Sequence, residues 1–127
     1  MKKCNPLHIQ LHKRTGTLEL GYQDGTFHLS SEYLRVFSPS AEVRGHGEGQ
    51  ETLQTGKINV AISSVEAVGH YALKLIFDDG HDSGIYTWEY LRELCETEEG
   101  KWQGYLDLLE AAGASRDPEV SVVRLLS

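Results

Sequence analysis

The stretch DDGHDSG, residues 78–84, brings together three carboxylates and an imidazole, from Asp78, Asp79, His81 and Asp82. Side chains of these types could hold a cation weakly, and a histidine, an aspartate and a serine in a row have the composition of a nucleophilic triad. The members of a triad, however, meet across a fold rather than at neighbouring positions. An aspartate before a glycine, between two apolar stretches, is typical of a hairpin turn. We therefore predict that this stretch is mainly a turn.

A second candidate site combines His46 and Glu48 with His70 or His81. Two imidazoles and a carboxylate are the ligand set of iron(II) oxygenases. Such a site needs a rigid β scaffold with open coordination positions, whereas His46 and Glu48 fall in a glycine-rich stretch. Zinc or iron binding through His46 and His81 is kept as the alternative to a protein without a bound metal.

Two further patterns are weaker. His8 and His12 lie four positions apart in a predicted strand, hence about 13 Å apart at roughly 3.3 Å per residue, which is too far to share an ion. The glycine-rich GHGEGQ lacks the GxxxxGK[ST] spacing of a phosphate-binding loop, and its glutamates would repel phosphate. No nucleophile, acid–base pair or cofactor loop stands out, so we expect a protein that is not an enzyme.

Alternating apolar residues predict the strands that position these groups. The predicted strands cover residues 7–13, 17–22, 26–29, 58–62, 71–77 and 84–86. Ser30 and Thr87 are typical helix N-caps, and the residues behind them have apolar side chains at helical spacing.

The two halves of this pattern resemble each other. LELGYQDG matches LKLIFDDG, and SSEYLR nearly matches TWEYLR. Each copy is predicted to form a strand, an acidic-glycine turn, a strand and a capped helix. The sequence therefore predicts the α+β class, with a mostly antiparallel sheet from two ββα-like units and a C-terminal helix at about residues 101–112.

The chain is long enough for one domain with a hydrophobic core, so residues 1–127 are expected to form a single domain. Residues 38–57 carry several glycines and no sustained period, which predicts a long loop, and such loops are often functional. The tail, residues 114–127, contains apolar residues without an evident place in the core. Whether this loop and tail are ordered is left open.

Composition bounds the partners and the compartment. The formal charge of −7 and a pI of about 5.3 disfavour nucleic acid and anionic membranes as partners. No apolar segment is long enough to span a bilayer, and no apolar region follows the first basic residues as in a signal peptide. We expect a cytoplasmic protein in which Cys4 and Cys95 are free thiols.

Two stretches carry a resemblance to a known family. LRVFSPSAEVRGHG followed by ALKLIFDDGHDSGIYTWEYLREL resembles the gamma-butyrobetaine hydroxylase-like N-terminal domain family, also called DUF971, over about residues 7–96. Members occur as small stand-alone bacterial proteins, before the catalytic domain of carnitine-pathway dioxygenases, and in some iron–sulfur cluster carriers. The resemblance implies the fold but no oxygenase, because the catalytic domain with its iron ligands does not follow in this sequence.

In the dioxygenases of this family, three cysteines and a histidine bind structural zinc. The resemblance places the cysteine positions on Ser38, Ser40 and Val43, and the histidine on His81. Two hydroxyls and a valine cannot replace three thiolates as zinc ligands. We therefore expect no zinc, and a hydrogen bond from His81 to Ser38 or Ser40 where the metal would join the same segments.

The function expected from these observations is a non-catalytic binding or adaptor domain that meets a protein partner. The alternative is a metal-binding protein, linked to iron–sulfur cluster handling, that uses His46 and His81. The residues predicted to form the partner-binding surface are Ser38, Ser40, His46, Asp79, His81 and Trp88. The partner, any substrate and the oligomeric state are not predicted.

Overall fold

The computed structural model describes residues 5–44 and 52–119. Its first half is a three-stranded antiparallel sheet of β1 (His8–His12), β2 (Thr17–Tyr22) and β3 (Gly25–Ser30), followed by helix α1 (Ser31–Val36). The alternation predicted from sequence places Leu18, Leu20 and Leu29 in the interior, where they are completely buried.

The second half repeats the arrangement. Strands β4 (Ile62–Val68), β5 (Ala72–Phe77) and β6 (Ile85–Thr87) form another three-stranded antiparallel sheet, and α3 (Trp88–Glu96) follows β6 directly. A four-residue helix, α2 (Ala41–Arg44), lies between the halves, and α4 (Glu98–Ala112) follows α3. The α+β class, the antiparallel pairing and the C-terminal helix are confirmed.

Two details differ from the sequence-based expectation, and a third, the order of the tail, is left open by the sequence. The strands of the described residues form two sheets, whereas one was predicted. The alternation of apolar residues predicts which face of a strand is buried, but it does not predict which strand edges pair. The predicted strand at 58–62 is wrong, since β4 begins only at Ile62. Residues 114–119 of the tail are held in place, with Gly56 N–H donating to the Ser115 carbonyl and Arg116 forming a bidentate ion pair with Glu32. The remaining tail, residues 120–127, lies outside the described residues.

The two halves share one hydrophobic core. Its buried side chains come from both sheets and from both capped helices, among them Leu20, Leu34, Leu75 and Leu91. Each helix starts as the sequence predicts: Ser30 Oγ accepts from Tyr33 N–H at 3.0 Å, and Thr87 Oγ1 accepts from Tyr90 N–H at 3.1 Å. These caps satisfy backbone donors that the first helical turn leaves without a partner.

The helices of the two halves are joined by a reciprocal pair of hydrogen bonds. Tyr33 Oη of α1 donates to the Leu94 carbonyl near the end of α3, and Tyr90 Oη of α3 donates to the Phe37 carbonyl at the end of α1. Each acceptor belongs to the last turn of a helix, where carbonyls lack an intrahelical donor. Burial raises the pKa of both tyrosines, so both hydroxyls stay protonated and remain donors.

Replacing either tyrosine by phenylalanine is expected to lower the free energy of unfolding by about 1–3 kcal/mol, because a carbonyl at a helix end, buried in Leu94 and partly buried in Phe37, loses its donor. The measurement is urea unfolding of Tyr33→Phe and Tyr90→Phe, with Tyr71→Phe as the control, since the Tyr71 side chain is exposed. Equal stability of all three variants and the parent chain would contradict the proposed joining role of these bonds.

Candidate functional site

The DDGHDSG stretch forms a turn after β5, as predicted. The Gly80 N–H donates to the Phe77 carbonyl at 3.2 Å, and the Phe77 N–H donates to the His81 carbonyl at 3.0 Å. Gly80 has a φ of 91°, in the region that only glycine adopts readily. Asp79 Oδ1 accepts from the His81 N–H at 3.1 Å and so closes the turn.

This turn places the His81 imidazole against the segment that follows α1. His81 Nε2 lies 2.8 Å from Ser38 Oγ and 3.3 Å from Ser40 Oγ, and all three residues are buried. The hydrogen bond expected from the sequence is therefore present. The contact is close enough to require a glycine at position 84, because a Cβ there would lie 2.5 Å from Ser38 Oγ.

The other ring nitrogen of His81 faces a carboxylate. His81 Nδ1 lies 3.3 Å from Glu42 Oε1 of α2, and Ser83 Oγ donates to the same oxygen at 2.6 Å. We assign the tautomer in which Nδ1–H donates to Glu42 and Nε2 accepts from a serine hydroxyl, because both contacts are then satisfied. Burial lowers the pKa of His81, and the nearby Arg35 guanidinium lowers that pKa further, so the ring is neutral.

Asp79 forms ion pairs with Arg35 and Lys57. Arg35 Nε of α1 donates to Asp79 Oδ2 at 3.0 Å, and Lys57 Nζ lies 3.3 Å from the same oxygen. Burial raises the pKa of Asp79, but its bonds to the His81 N–H and to Arg35 outweigh burial and hold the pKa below its usual value. The equivalent arginine of the second half, Arg92, pairs with Asp24 in the turn of the first half. Asp79 therefore fastens α1 to the opposite turn.

The residues around His81 do not fit a structural zinc ion. One imidazole, two hydroxyls and an exposed carboxylate replace the thiolates that such a site prefers. In the chain as described, no group of three histidine, cysteine or acidic ligands within reach of one ion includes His81. His46, and with it the proposed pairing of His46 and His81, lies outside the described residues, as do Glu48 and Cys4.

Trp88 lies apart from this cluster. Its indole Nε1 donates to the His70 carbonyl at 2.7 Å, beside the turn that joins β4 and β5. That turn and His81 stand at opposite ends of β5, which separates them by roughly 17 Å at 3.3 Å per residue. The structure thus brings Ser38, Ser40, Asp79 and His81 together and leaves Trp88 outside.

A groove of about 850 Å³ opens next to Ser38, between the end of α1, α2, α3 and α4. Its apolar lining includes Val36, Phe37, Leu53, Tyr90, Tyr105 and Leu108. Leu108 is 60% exposed although it is large and apolar. This groove was not predicted from the sequence. The available signal was Leu108 itself. It lies beside the buried residues Tyr105 and Leu109 of α4 but outside the face of the helix that they form.

Two cations and one carboxylate stand at the groove. Lys101 Nζ lies 3.5 Å from Glu93 Oε2, whereas Arg44 stacks on Tyr90, with its guanidinium carbon 4.6 Å from the ring centroid. No ion pair among residues 5–44 and 52–119 includes Arg44. The charge of Arg44 is therefore not neutralised by a described carboxylate.

Comparisons with known proteins agree with the fold. The chain matches the family described as gamma-butyrobetaine hydroxylase-like, N-terminal, over residues 9–92. Two proteins with NMR solution structures are 55% and 46% identical to it, with TM-scores of 0.81 and 0.76. The alignments cover 93% of this chain and 94% of the first protein, and 90% of this chain and 86% of the second.

A third relative is a DUF971 protein of unknown function from Acidithiobacillus ferrooxidans, known from a crystal structure. It is 41% identical, with a TM-score of 0.60, over 72% of this chain and 92% of that one. No curated protein matches the chain. No helix in the described ranges is long and apolar enough to cross a membrane.

Replacing His81 by alanine is expected to lower the free energy of unfolding by about 1–3 kcal/mol, because two buried serine hydroxyls lose their partner. The loss should depend on pH. The folded chain keeps His81 neutral below the ordinary histidine pKa of about 6.5, whereas the unfolded chain binds the proton. The stabilisation is thus complete above that pH and declines as the pH falls.

The measurement is denaturant unfolding of the parent chain and His81→Ala between about pH 8 and pH 5, the range that brackets histidine titration. The difference between their free energies of unfolding should narrow toward the acidic end. His70→Ala serves as the control, since His70 is exposed. A difference that stays constant or widens on acidification would contradict a neutral, hydrogen-bonded His81.

Proposed function

The chain belongs to the gamma-butyrobetaine hydroxylase-like, N-terminal family, and we propose that it is a non-catalytic module that binds a protein partner in the groove beside Ser38. The observation that carries this proposal is the apolar lining of the groove together with the exposed Leu108. Cavities that bind ligands are mostly apolar and hold a few polar groups that fix orientation.

The walls of the groove are held by the fold rather than by an occupant. Tyr105 Oη donates to the Gln54 carbonyl at 2.7 Å, and Tyr90 Oη donates to the Phe37 carbonyl. Both hydroxyls are thus engaged, and the aromatic faces remain to contact a partner. A preformed site loses less conformational entropy on binding than one that must first be ordered.

The partner that fits is a protein segment with one or two large apolar side chains followed by a carboxylate. The apolar side chains would cover Leu108 and Tyr105, and the carboxylate would meet Arg44, whose charge no described carboxylate neutralises. Nucleic acid and anionic membranes are disfavoured by the formal charge of −7. The cytoplasm remains the expected compartment.

Two reactive groups among the described residues, Cys95 and His81, support a non-catalytic role. Burial raises the pKa of the Cys95 thiol to about 12, so it is not a thiolate at neutral pH. His81 makes hydrogen-bonding contacts through both ring nitrogens and is buried. The alternative, a zinc or iron protein that uses His46 and His81, would need a ligand set at His81 that the described residues do not supply.

The test uses a random peptide library displayed on phage and selected on the parent chain. The selection uses the parent chain alone, and the enriched peptides are afterwards measured against each variant. Enriched peptides should combine aromatic or aliphatic residues with an acidic one. Measured by fluorescence polarisation, their affinity should fall at least about tenfold in Leu108→Glu, as expected for the loss of a central apolar contact.

Two further variants make the test specific. Arg44→Gln should weaken binding about fivefold at low salt, and this loss should disappear near 1 M salt, where screening acts within about 3 Å. Leu7→Glu is the matched control, because Leu7 is also exposed but does not line the groove. Selection of peptides that bind the parent chain and Leu108→Glu equally would exclude the groove as the binding surface.

A further inference from the structure

The outer face of the first sheet carries a second cluster of chemistry-bearing side chains. Glu19 lies on the central strand β2, opposite Gln10 of β1 and His28 of β3. His8 and His12 stand two positions before and after Gln10 and so share its face of the sheet. Antiparallel register therefore places two histidines of β1 and one of β3 around a glutamate of β2.

The distances show how closely they converge. His12 Nε2 lies 2.7 Å from Glu19 Oε1, and His28 Nε2 lies 3.3 Å from the same oxygen. His8 Nε2 contacts the other oxygen, Oε2, at 2.6 Å. One ligand atom each from His12, Glu19 and His28 can be chosen so that all three lie within 4.8 Å of one another.

We propose that His12, Glu19 and His28 form a binding site for a divalent transition-metal ion such as Zn²⁺, with His8 holding the second oxygen of the carboxylate. Two imidazoles and one carboxylate suit zinc and iron(II), and a site with three protein ligands leaves further positions for water or another molecule. Zinc bound at about 2.0–2.1 Å needs ligand atoms about 3.3 Å apart. The distance of 3.3 Å between His28 Nε2 and Glu19 Oε1 already has this value, whereas the hydrogen bond of 2.7 Å between His12 Nε2 and Glu19 Oε1 has to lengthen when an ion binds.

The three ligands stand on strands, which hold an ion-binding site more rigidly than a loop would. The three ligands stand on hydrogen-bonded strands whose opposite face is buried through Leu18, Leu20 and Leu29, so their backbone positions are fixed. The ligand face is accessible, since the side chains of His12 and His28 are 33% and 54% exposed. An ion can thus enter without any opening of the fold.

The strand opposite His8 leaves room for its ring. A Cβ at its cross-strand partner Gly21 would lie 2.1 Å from the imidazole Cε1, so only glycine leaves room for the ring in this place. The ring then reaches Glu19 Oε2 and leaves Oε1 to His12 and His28. A hydrogen bond to the non-coordinating oxygen orients a ligand carboxylate and raises the affinity of the site.

The test is titration of tag-free, chelator-treated protein with Zn²⁺ alone, followed by calorimetry and by NMR of the imidazole rings. We expect one ion per chain, with ring signals of His12 and His28 shifting and those of His70 unchanged. The affinity should fall at least about tenfold in His12→Ala and in His28→Ala, because each variant loses a direct ligand. In His8→Ala it should fall about tenfold through loss of the orienting contact.

Two controls separate this site from others. His70→Ala removes an exposed histidine outside the cluster and should bind Zn²⁺ like the parent chain. His81→Ala should do so as well, which distinguishes this site from the Ser38–His81 contact. Unchanged affinity in both His12→Ala and His28→Ala, or no one-to-one binding by the parent chain, would overturn the proposal.

Discussion

Two tyrosine hydroxyls connect the halves of this protein, and each donates a hydrogen bond from one helix to the C-terminal end of the other. A helix end leaves backbone carbonyls without intrahelical partners, and their burial would be costly without a donor. Tyr33 and Tyr90 supply that donor across the interface. The end of α1 is thereby fixed, and Ser38, which follows it directly, is held where His81 can reach it.

Two arginines add ion pairs to the hydrogen bonds between the halves. Arg35 and Arg92 occupy matching places in the two helices, and each reaches an aspartate in the turn of the other half. Every one of these contacts joins a helix of one half to the other half. Each helix is therefore held by both halves of the chain. The hydrogen bonds between His81 and the serines depend on these contacts between the halves, and they lie at the position where the dioxygenases of the family bind structural zinc. They join the same two segments and need no ion.

Local patterns in the sequence predict most of the strands, both capped helices and their repetition, because alternation, capping and turn residues act between near neighbours. The contact between His81 and Ser38 could be predicted only through the family resemblance. The groove could not be predicted, because it depends on how α4 packs on the end of α1. The spacing of apolar residues within one helix does not determine that packing. The histidines around Glu19 were missed because separation along β1 was considered, whereas His12 and His28 meet through cross-strand register. The shift of β4 to Ile62 shows that alternation alone does not determine where a strand starts.

The reciprocal contacts have the pattern of an isologous interface, in which residue i of one copy meets residue j of the other and j meets i. Each tyrosine donates to the carbonyl of the residue that lies four places after its counterpart in the other half. A single strand–strand–helix unit would present the same donor and acceptor to a second copy of itself across a two-fold axis. The chain thus holds, within one polypeptide, the reciprocal contact pattern of a homodimer, while its two halves carry different surfaces: histidines on the outer face of the first sheet, and the buried His81 imidazole in the turn after β5.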